Sequence, residues 1–297
     1  MVLEMAGWPI RSCLAAPENE PASTTRINAS IAAKRSIVIP ARNRRYYHDE
    51  SAAGQQNEKC TTCSASLARC RSMPLKAELE ACRCTFEASA EPHLAAAVRR
   101  SIQALAETGL VAKAVRAGEA APLFRLRCGS GGFVNLSALL ERGPVVISFF
   151  RGDWCPFCVR ELKALAEAHP EIERLGATLI ALSPQARSKS SSPGTDGVPP
   201  FLILQDPGCE IAGRYRIAFT VPRQFRAAYM ELGYPNSAKT GPKGWVLPIP
   251  ATYVLDGTGL IVFSYLDADY TTRLGPQEII IALTHLRAAR IPDRNKR

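Results

Sequence analysis

One short run constrains this chain more than anything else in it: Val145-Val-Ile-Ser-Phe-Phe150 reads as a buried strand, Arg151-Gly-Asp-Trp154 as a tight loop, and Cys155-Pro-Phe-Cys158 as the opening of a helix that continues through Glu161 and Leu162. Two cysteines three residues apart at a helix start share one turn and lie within disulfide reach. The unpaired N–H groups and the helix dipole at that end favour a thiolate and lower the thiol pKa. Pro156 suits the first turn, where its missing donor costs little. A structural zinc half-site would need four ligands, and the region adds only His169 and the distant Cys209. A redox pair beside a βαβ pattern is therefore the reading adopted, ahead of zinc or inert buried thiols.

The pattern on either side supports an α/β domain. Apolar positions at Leu75, Leu79, Cys82 and Phe86, then at Leu94, Val98, Ile102 and Leu105 after Pro92, predict two helices ahead of the core. From Ala121, strands alternate with helices, which implies βαβ units and a parallel or mixed sheet. Leu123 to Leu126 and Phe133 to Leu136 read as a hairpin around Gly129, Gly131 and Gly132, and Ser137 as the cap of a brief helix. Strand Pro144 to Phe150, helix Pro156 to Ala168, strand Ala177 to Ser183 and strand Phe201 to Leu204 follow. A Ser/Pro/Gly-rich loop, Gln185 to Pro199, separates the last two strands. Helices near Glu210 to Tyr215 and Pro222 to Leu232 lead to a strand pair, Thr252 to Asp256 and Leu260 to Tyr265, with Tyr253 and Phe263 as core residues; a helix, Pro276 to Ala288, closes the pattern.

Composition excludes several classes. With 46% hydrophobic residues in 297, the chain is long enough for a sizeable core, and no apolar run approaches the roughly 18 residues of a membrane span. Its net charge of +10 is spread along the sequence without a basic run or interleaved aromatics, so no nucleic acid is expected as a partner. Residues 1–72 lack helical or strand periodicity and read as a disordered leader or a misassigned start, with Met73 the next methionine after Met5. Met1 to Ile10 offers no apolar signal core, and Glu4, Glu18 and Glu20 weigh against an organellar transit peptide, so the expected location is cytoplasmic. The expected division is a leader at 1–72, a helical hairpin at 73–118, a core domain at 119–290 and a basic tail at 291–297. Cys60, Cys63, Cys70, Cys82 and Cys84 with His48 or His93 have irregular spacing for zinc and read as unpaired thiols. No nucleotide, haem or metal motif appears, so no cofactor is expected.

Four stretches carry a resemblance: Ala117-Gly-Glu-Ala-Ala-Pro-Leu-Phe-Arg-Leu, Phe149-Phe-Arg-Gly-Asp-Trp-Cys-Pro-Phe-Cys, Leu179-Ile-Ala-Leu-Ser-Pro-Gln and Pro248-Ile-Pro-Ala-Thr-Tyr-Val-Leu-Asp. Residues 73 to about 290 resemble the peroxiredoxin-like branch of the AhpC/TSA (thiol-specific antioxidant) family of the thioredoxin superfamily. The resemblance implies a thioredoxin-like mixed sheet flanked by helices and a thiol-dependent peroxidase. Laid on the family's Pro-x-x-x-Thr-x-x-Cys, Cys158 takes the peroxidatic position, Cys155 replaces the threonine, Arg151 the proline, and Glu161 matches the family's glutamate. The family's peroxide-polarising arginine falls at Pro250, and Arg151 is the candidate substitute. Trp154, Pro156 and Pro250 are expected to shape the site, with a cis Ile249–Pro250 bond as in thioredoxins.

The implied mechanism is a Cys158 sulfenate resolved by Cys155, with Cys209 a weaker candidate for that second role. The implied partners are a hydroperoxide and thioredoxin or a glutaredoxin-like reductant, with a homodimer as the expected assembly. The rival is a thiol–disulfide oxidoreductase in which Cys155, expected to be the more exposed, attacks first; a redox-inert binding protein is the third reading. Ser183-Pro184-Gln185 ends a strand where open α/β sheets place ligands.

Overall fold

The computed structural model describes residues 74–128, 132–185, 199–234 and 244–290. The expected leader and Met73 start, the centre of the first hairpin, most of the Ser/Pro/Gly-rich loop and the basic tail lie outside the described residues. In chain order the elements are helices α1 (Leu75–Ser89), α2 (Pro92–Glu107) and α3 (Leu110–Lys113), strands β1 (Arg125–Arg127) and β2 (Phe133–Asn135), helix α4 (Leu136–Leu140), strand β3 (Val145–Phe149), helix α5 (Pro156–Arg174), strands β4 (Thr178–Ser183) and β5 (Leu202–Gln205), helix α6 (Glu210–Arg214), strand β6 (Ala218–Thr220), helix α7 (Arg226–Glu231), strands β7 (Val246–Pro248), β8 (Ala251–Leu255) and β9 (Ile261–Leu266), and helix α8 (Pro276–Arg290).

Five strands form the central sheet in the order β5-β4-β3-β8-β9. β3, β4 and β5 run parallel, and β8 and β9 are antiparallel additions on the other side of β3. This is the thioredoxin-like mixed sheet. The two-residue period of a strand divides its side chains between two layers. Val145, Ile147 and Phe149 enter one core with Ile180, Leu182, Tyr215 and Tyr253, while Val146, Leu179, Ala181 and Val254 enter a second core under α5 and α8. Each fully buried Val, Leu or Ile contributes about 1.5–3 kcal/mol of burial, so β3, buried along its whole length, is the anchor of the site loop that follows it.

The periodicity of the first two helices is realised on different surfaces. Leu75 and Leu79 of α1 join the α5 core, whereas Leu94 and Ala97 of α2 pack with Phe225, Ala228 and Tyr229 around α7. Asp206 accepts the N–H groups of Ile211 and Ala212, each at 2.9 Å, and so caps α6.

Several local expectations are corrected. Helix α5 runs on to Arg174 with Pro170 inside it, because His169 and Ile172 are buried and hold the last turns despite the lost N–H bond. The cap of α4 is Asn135, whose side chain accepts from Ser137 N at 3.1 Å; Ser137 itself lies within the helix. A β6–β7 ribbon forms where no strand is legible, pairing Ala218 with Pro248. The Ile249–Pro250 bond is not cis: no cis peptide occurs among the described residues. Ile249 donates its N–H to Ile217 O at 2.8 Å, which extends the ribbon's pairing to the proline, so the chain reaches β8 on a trans backbone.

Candidate active site

The central strand delivers the cysteines. β3 ends at Phe149, Phe150 N bonds Leu182 O at 2.9 Å, and the chain then leaves the sheet through Arg151 and Gly152. Cys155 N–H donates to Gly152 O at 3.3 Å, closing a turn, and Val159 N–H donates to Cys155 O at 3.1 Å, starting α5. Cys155 is thus the N-cap and Cys158 lies in the first turn, Pro156 standing between them at a position that needs no donor. Both are free thiols, and both are buried, Cys155 at 2% and Cys158 at 0% exposure; the expected greater exposure of Cys155 is not found. Both sulfurs lie in the core layer that holds Phe150, Phe157, Leu162 and Leu274, with Trp154 packed against it.

A guanidinium reaches Cys158 from the far side of the chain. Arg273 Nη2 donates to Cys158 Sγ at 3.3 Å, and its Nε donates to Glu161 Oε2 at 2.7 Å. Glu161, one turn below Cys158 on α5, also accepts from Ser148 Oγ of β3 at 3.5 Å. Arg273 is fixed locally by Nη1 bonds to Tyr270 O and to Thr272 O, the latter at 2.7 Å. The turn around it is tied by Asp269, whose carboxylate accepts from Thr271 N at 2.9 Å and Thr271 Oγ1 at 2.6 Å.

Arg151 lies elsewhere. Its guanidinium carbon sits 4.0 Å from the ring centre of Tyr270, 4.7 Å from Trp154 and 5.2 Å from Tyr229, a cation held against three aromatic faces, and its Nε has no hydrogen-bond partner. Ser101 Oγ and Tyr270 OH are 2.9 Å apart, and Tyr229 OH donates to Tyr270 OH at 3.2 Å, which fixes those rings. Arg151 therefore supports the charge at Cys155 and does not take the arginine position beside Cys158.

Charge balance sets the state of the thiols. Arg151, Arg273 and Glu161 are all buried, at 3%, 8% and 1% exposure, so two cations face one carboxylate. A buried uncompensated charge is costly, and one thiolate shared by the cysteine pair supplies the missing negative charge. The hydrogen bond from Cys158, working against burial and aided by Arg151 and Arg273, pulls the Cys155 thiol down to about 5. Burial, with the bond and charge of Cys155 added, pushes Cys158 well above its ordinary value. Burial also raises Glu161 to about 7, against the pull of Arg273. Such a pair can act as a nucleophile toward oxygen or sulfur and can close an intramolecular disulfide.

These shifts predict a pH signature. The raised Glu161 contributes stability that is present below the ordinary carboxyl range and lost as pH rises through about 7, whereas the depressed Cys155 contributes stability present above the ordinary thiol range and lost as pH falls through about 5. The two slopes oppose each other between these values. Glu161→Gln is expected to leave the thiol slope alone, so its urea midpoint should climb more steeply from pH 5 to pH 7 than that of the parent; parallel curves would contradict the assignment.

Of the residues singled out from sequence, Cys155, Cys158, Glu161, Arg151, Trp154 and Pro156 are brought together. Pro250 stands at the head of β8, where Ala251 pairs with Phe149, beside the strand end from which the loop departs. Cys209 is buried in the opposite layer from the cysteine pair, with its Sγ 3.4 Å from Val246 O. Cys82 and Cys84 lie on α1, and the earlier cysteines lie outside the described residues. Sequence reasoning missed Arg273, Tyr270, Tyr229, Ser101 and Ser148. Arg273 had one signal: it is the one Lys or Arg between Lys243 and Arg287. No group of His, Cys, Asp and Glu able to hold a metal, and no helix long and apolar enough to cross a membrane, occurs among the described residues.

Residues 117–264 match the family model of the AhpC/TSA family. The chain is 28% identical over 156 residues to a chloroplastic peroxiredoxin Q of Oryza sativa subsp. japonica, covering 52% of this chain and 61% of that one. It is 27% identical over 160 residues to a chloroplastic peroxiredoxin Q of Triticum aestivum, covering 54% and 63%. The chain thus spans about three-fifths of the length of these curated relatives. Among solved structures it is similar to the peroxidoxin BcpB of Mycobacterium tuberculosis, with a TM-score of 0.44 and 18% identity over 58% of this chain and 98% of that one.

Proposed function

The chain belongs to the AhpC/TSA family through residues 117–264, as a peroxiredoxin-like member, and from that premise we propose that it is a thiol peroxidase in which Cys158 attacks a hydroperoxide and Cys155 resolves the product. The observation that carries this reading is the Arg273 guanidinium, 3.3 Å from Cys158 Sγ and braced by Glu161. A cation at that point stabilises a Cys158 thiolate and then the negative charge that develops on the peroxide oxygens as the O–O bond breaks.

The resting charge lies on Cys155, and the hydrogen bond between the thiols lets one proton pass to Cys155 as substrate arrives, leaving the Cys158 thiolate under Arg273. Cys158 takes the distal OH of the peroxide and becomes a sulfenic acid; the leaving alkoxide takes the proton of Cys155. The Cys155 thiolate then attacks the sulfenic sulfur, hydroxide departs, and the pair is a disulfide. A small dithiol protein of the thioredoxin or glutaredoxin type returns both electrons. Deep burial of both sulfurs in the reduced chain suits a small peroxide as the oxidising substrate.

One observation favours a second reading. Cys155 is the thiol pulled down to about 5, the state suited to first attack on a disulfide, with Cys158 resolving. Mixing the fully reduced chain with equimolar hydrogen peroxide separates the two. Rapid peroxide loss, a Cys155–Cys158 disulfide, and a sulfenate trapped on Cys158 in Cys155→Ser are expected. Negligible consumption by a folded, reduced protein overturns the peroxidase, and a sulfenate trapped on Cys155 in Cys158→Ser would exchange the two roles.

A further inference from the structure

The Ser183-Pro184-Gln185 end of β4 has no part in the mechanism above, yet its glutamine touches the site loop. Gln185 Oε1 accepts the backbone N–H of Asp153 at 2.9 Å, and Gln185 Nε2 donates to the Asp153 carboxylate, so one amide grips both the main chain and the side chain of one residue. Gln185 N–H is itself held by Ser183 Oγ at 3.2 Å, which ties the amide to the rigid strand end. The gripped residue lies inside the turn that Cys155 N–H closes on Gly152 O. Space there is fully used: a Cβ on Gly152, whose φ is +150°, would lie 2.4 Å from Gln185 Oε1 and 2.4 Å from Trp154 Nε1.

The two cysteines depend on different supports. Cys158 is fixed by the helix and by Arg273, whereas Cys155 ends the turn that carries Asp153. We propose that Gln185 is a positioning residue that latches this turn shut, and that it governs access to Cys155 while leaving Cys158 to the helix. This rests on the thiol-redox reading of the pair and adds to it the element that controls entry of the oxidant and of the reductant.

Alkylation tests the latch without relying on peroxide turnover. In the full-length chain, iodoacetamide labelling of Cys155 is measured in Cys158→Ser with and without Gln185→Ala, and labelling of Cys158 in Cys155→Ser with and without the same change. Loss of a hydrogen bond to a charged group corresponds to about a tenfold to hundredfold rise in opening, so Cys155 labelling should accelerate by about that factor while Cys158 labelling stays within about twofold. A general loosening would raise both rates. Gln185→Glu adds a readout that a purely structural role does not move: its carboxylate opposes that of Asp153 at neutral pH, and the grip re-forms when the facing carboxyls share a proton. The ratio of variant to parent Cys155 labelling should therefore fall toward one as the pH is lowered. Equal acceleration of both cysteines, or none at Cys155, overturns the proposal. If the chain consumes no peroxide but Cys155 labelling still follows Gln185, the peroxidase reading fails and the latch stands.

Discussion

Arg273→Met is expected to slow peroxide consumption by about a hundredfold to a thousandfold, the cost of removing one preorganised donor from a developing negative charge. The same change should also destabilise the fold by about 3–5 kcal/mol, because it breaks a buried ion pair and leaves Glu161 without its 2.7 Å partner. The two effects are separable. Adding Glu161→Gln removes the orphaned carboxylate, so the double variant should regain most of the stability and none of the rate. Thermal melts and stopped-flow peroxide loss on parent, single and double variants give the comparison. A double variant that recovers both would mean that Arg273 acts only as a structural counter-ion. Arg273→Lys keeps the charge but not the fork that reaches Cys158 and Glu161 together, so it should fall between parent and methionine variant.

The largest purely structural effect is expected at Gly143. Its φ is +152°, and a Cβ there would lie 2.5 Å from the carbonyl oxygen of Gly176. The contact joins the turns that launch the parallel pair β3 and β4, a junction also tied by Thr178 N bonding Pro144 O at 2.9 Å. Backbone strain at such positions costs about 1–3 kcal/mol before any displacement of the facing main chain is counted. Gly143→Ala should therefore lower Tm by at least about 5 °C, taking about 2–4 °C per kcal/mol for a domain of this size. Gly213, inside α6 with nothing within 4 Å of its added Cβ, is the control: Gly213→Ala should be neutral or raise Tm slightly. Equal losses at the two positions would refute the steric account.

What was legible in sequence followed from period and punctuation. β3, β4, β8 and β9 are apolar runs bounded by Gly, Pro or Asp, and α5 begins where Pro156 allows it, so the sheet and the cysteine pair could be placed from local pattern alone. Arg273 could not. It lies 115 positions from Cys158, and only the packing of the Asp269–Arg273 turn over α5 brings its fork to the sulfur. Local pattern also ended α5 at Ala168, whereas the helix runs through Pro170 to Arg174 because burial of Ile172 outweighs the lost hydrogen bond. The prolines at 248 and 250 hid the short strand β7, whose partner β6 is set by pairing with residues 26–30 positions away and not by its own three-residue sequence.

Trp154 is one of three tryptophans in the chain, adjacent in sequence to Cys155, with Tyr234 edge-on at 5.0 Å and the Arg151 guanidinium over its ring at 4.7 Å. Tyr234 in turn stacks on Trp245 at 5.0 Å. An excited indole is quenched differently by a thiolate, a thiol and a disulfide, so the chain carries an intrinsic optical gauge of its cysteine pair. Its emission can be followed in real time, without label or coupled assay, as oxidant and reductant are added in turn.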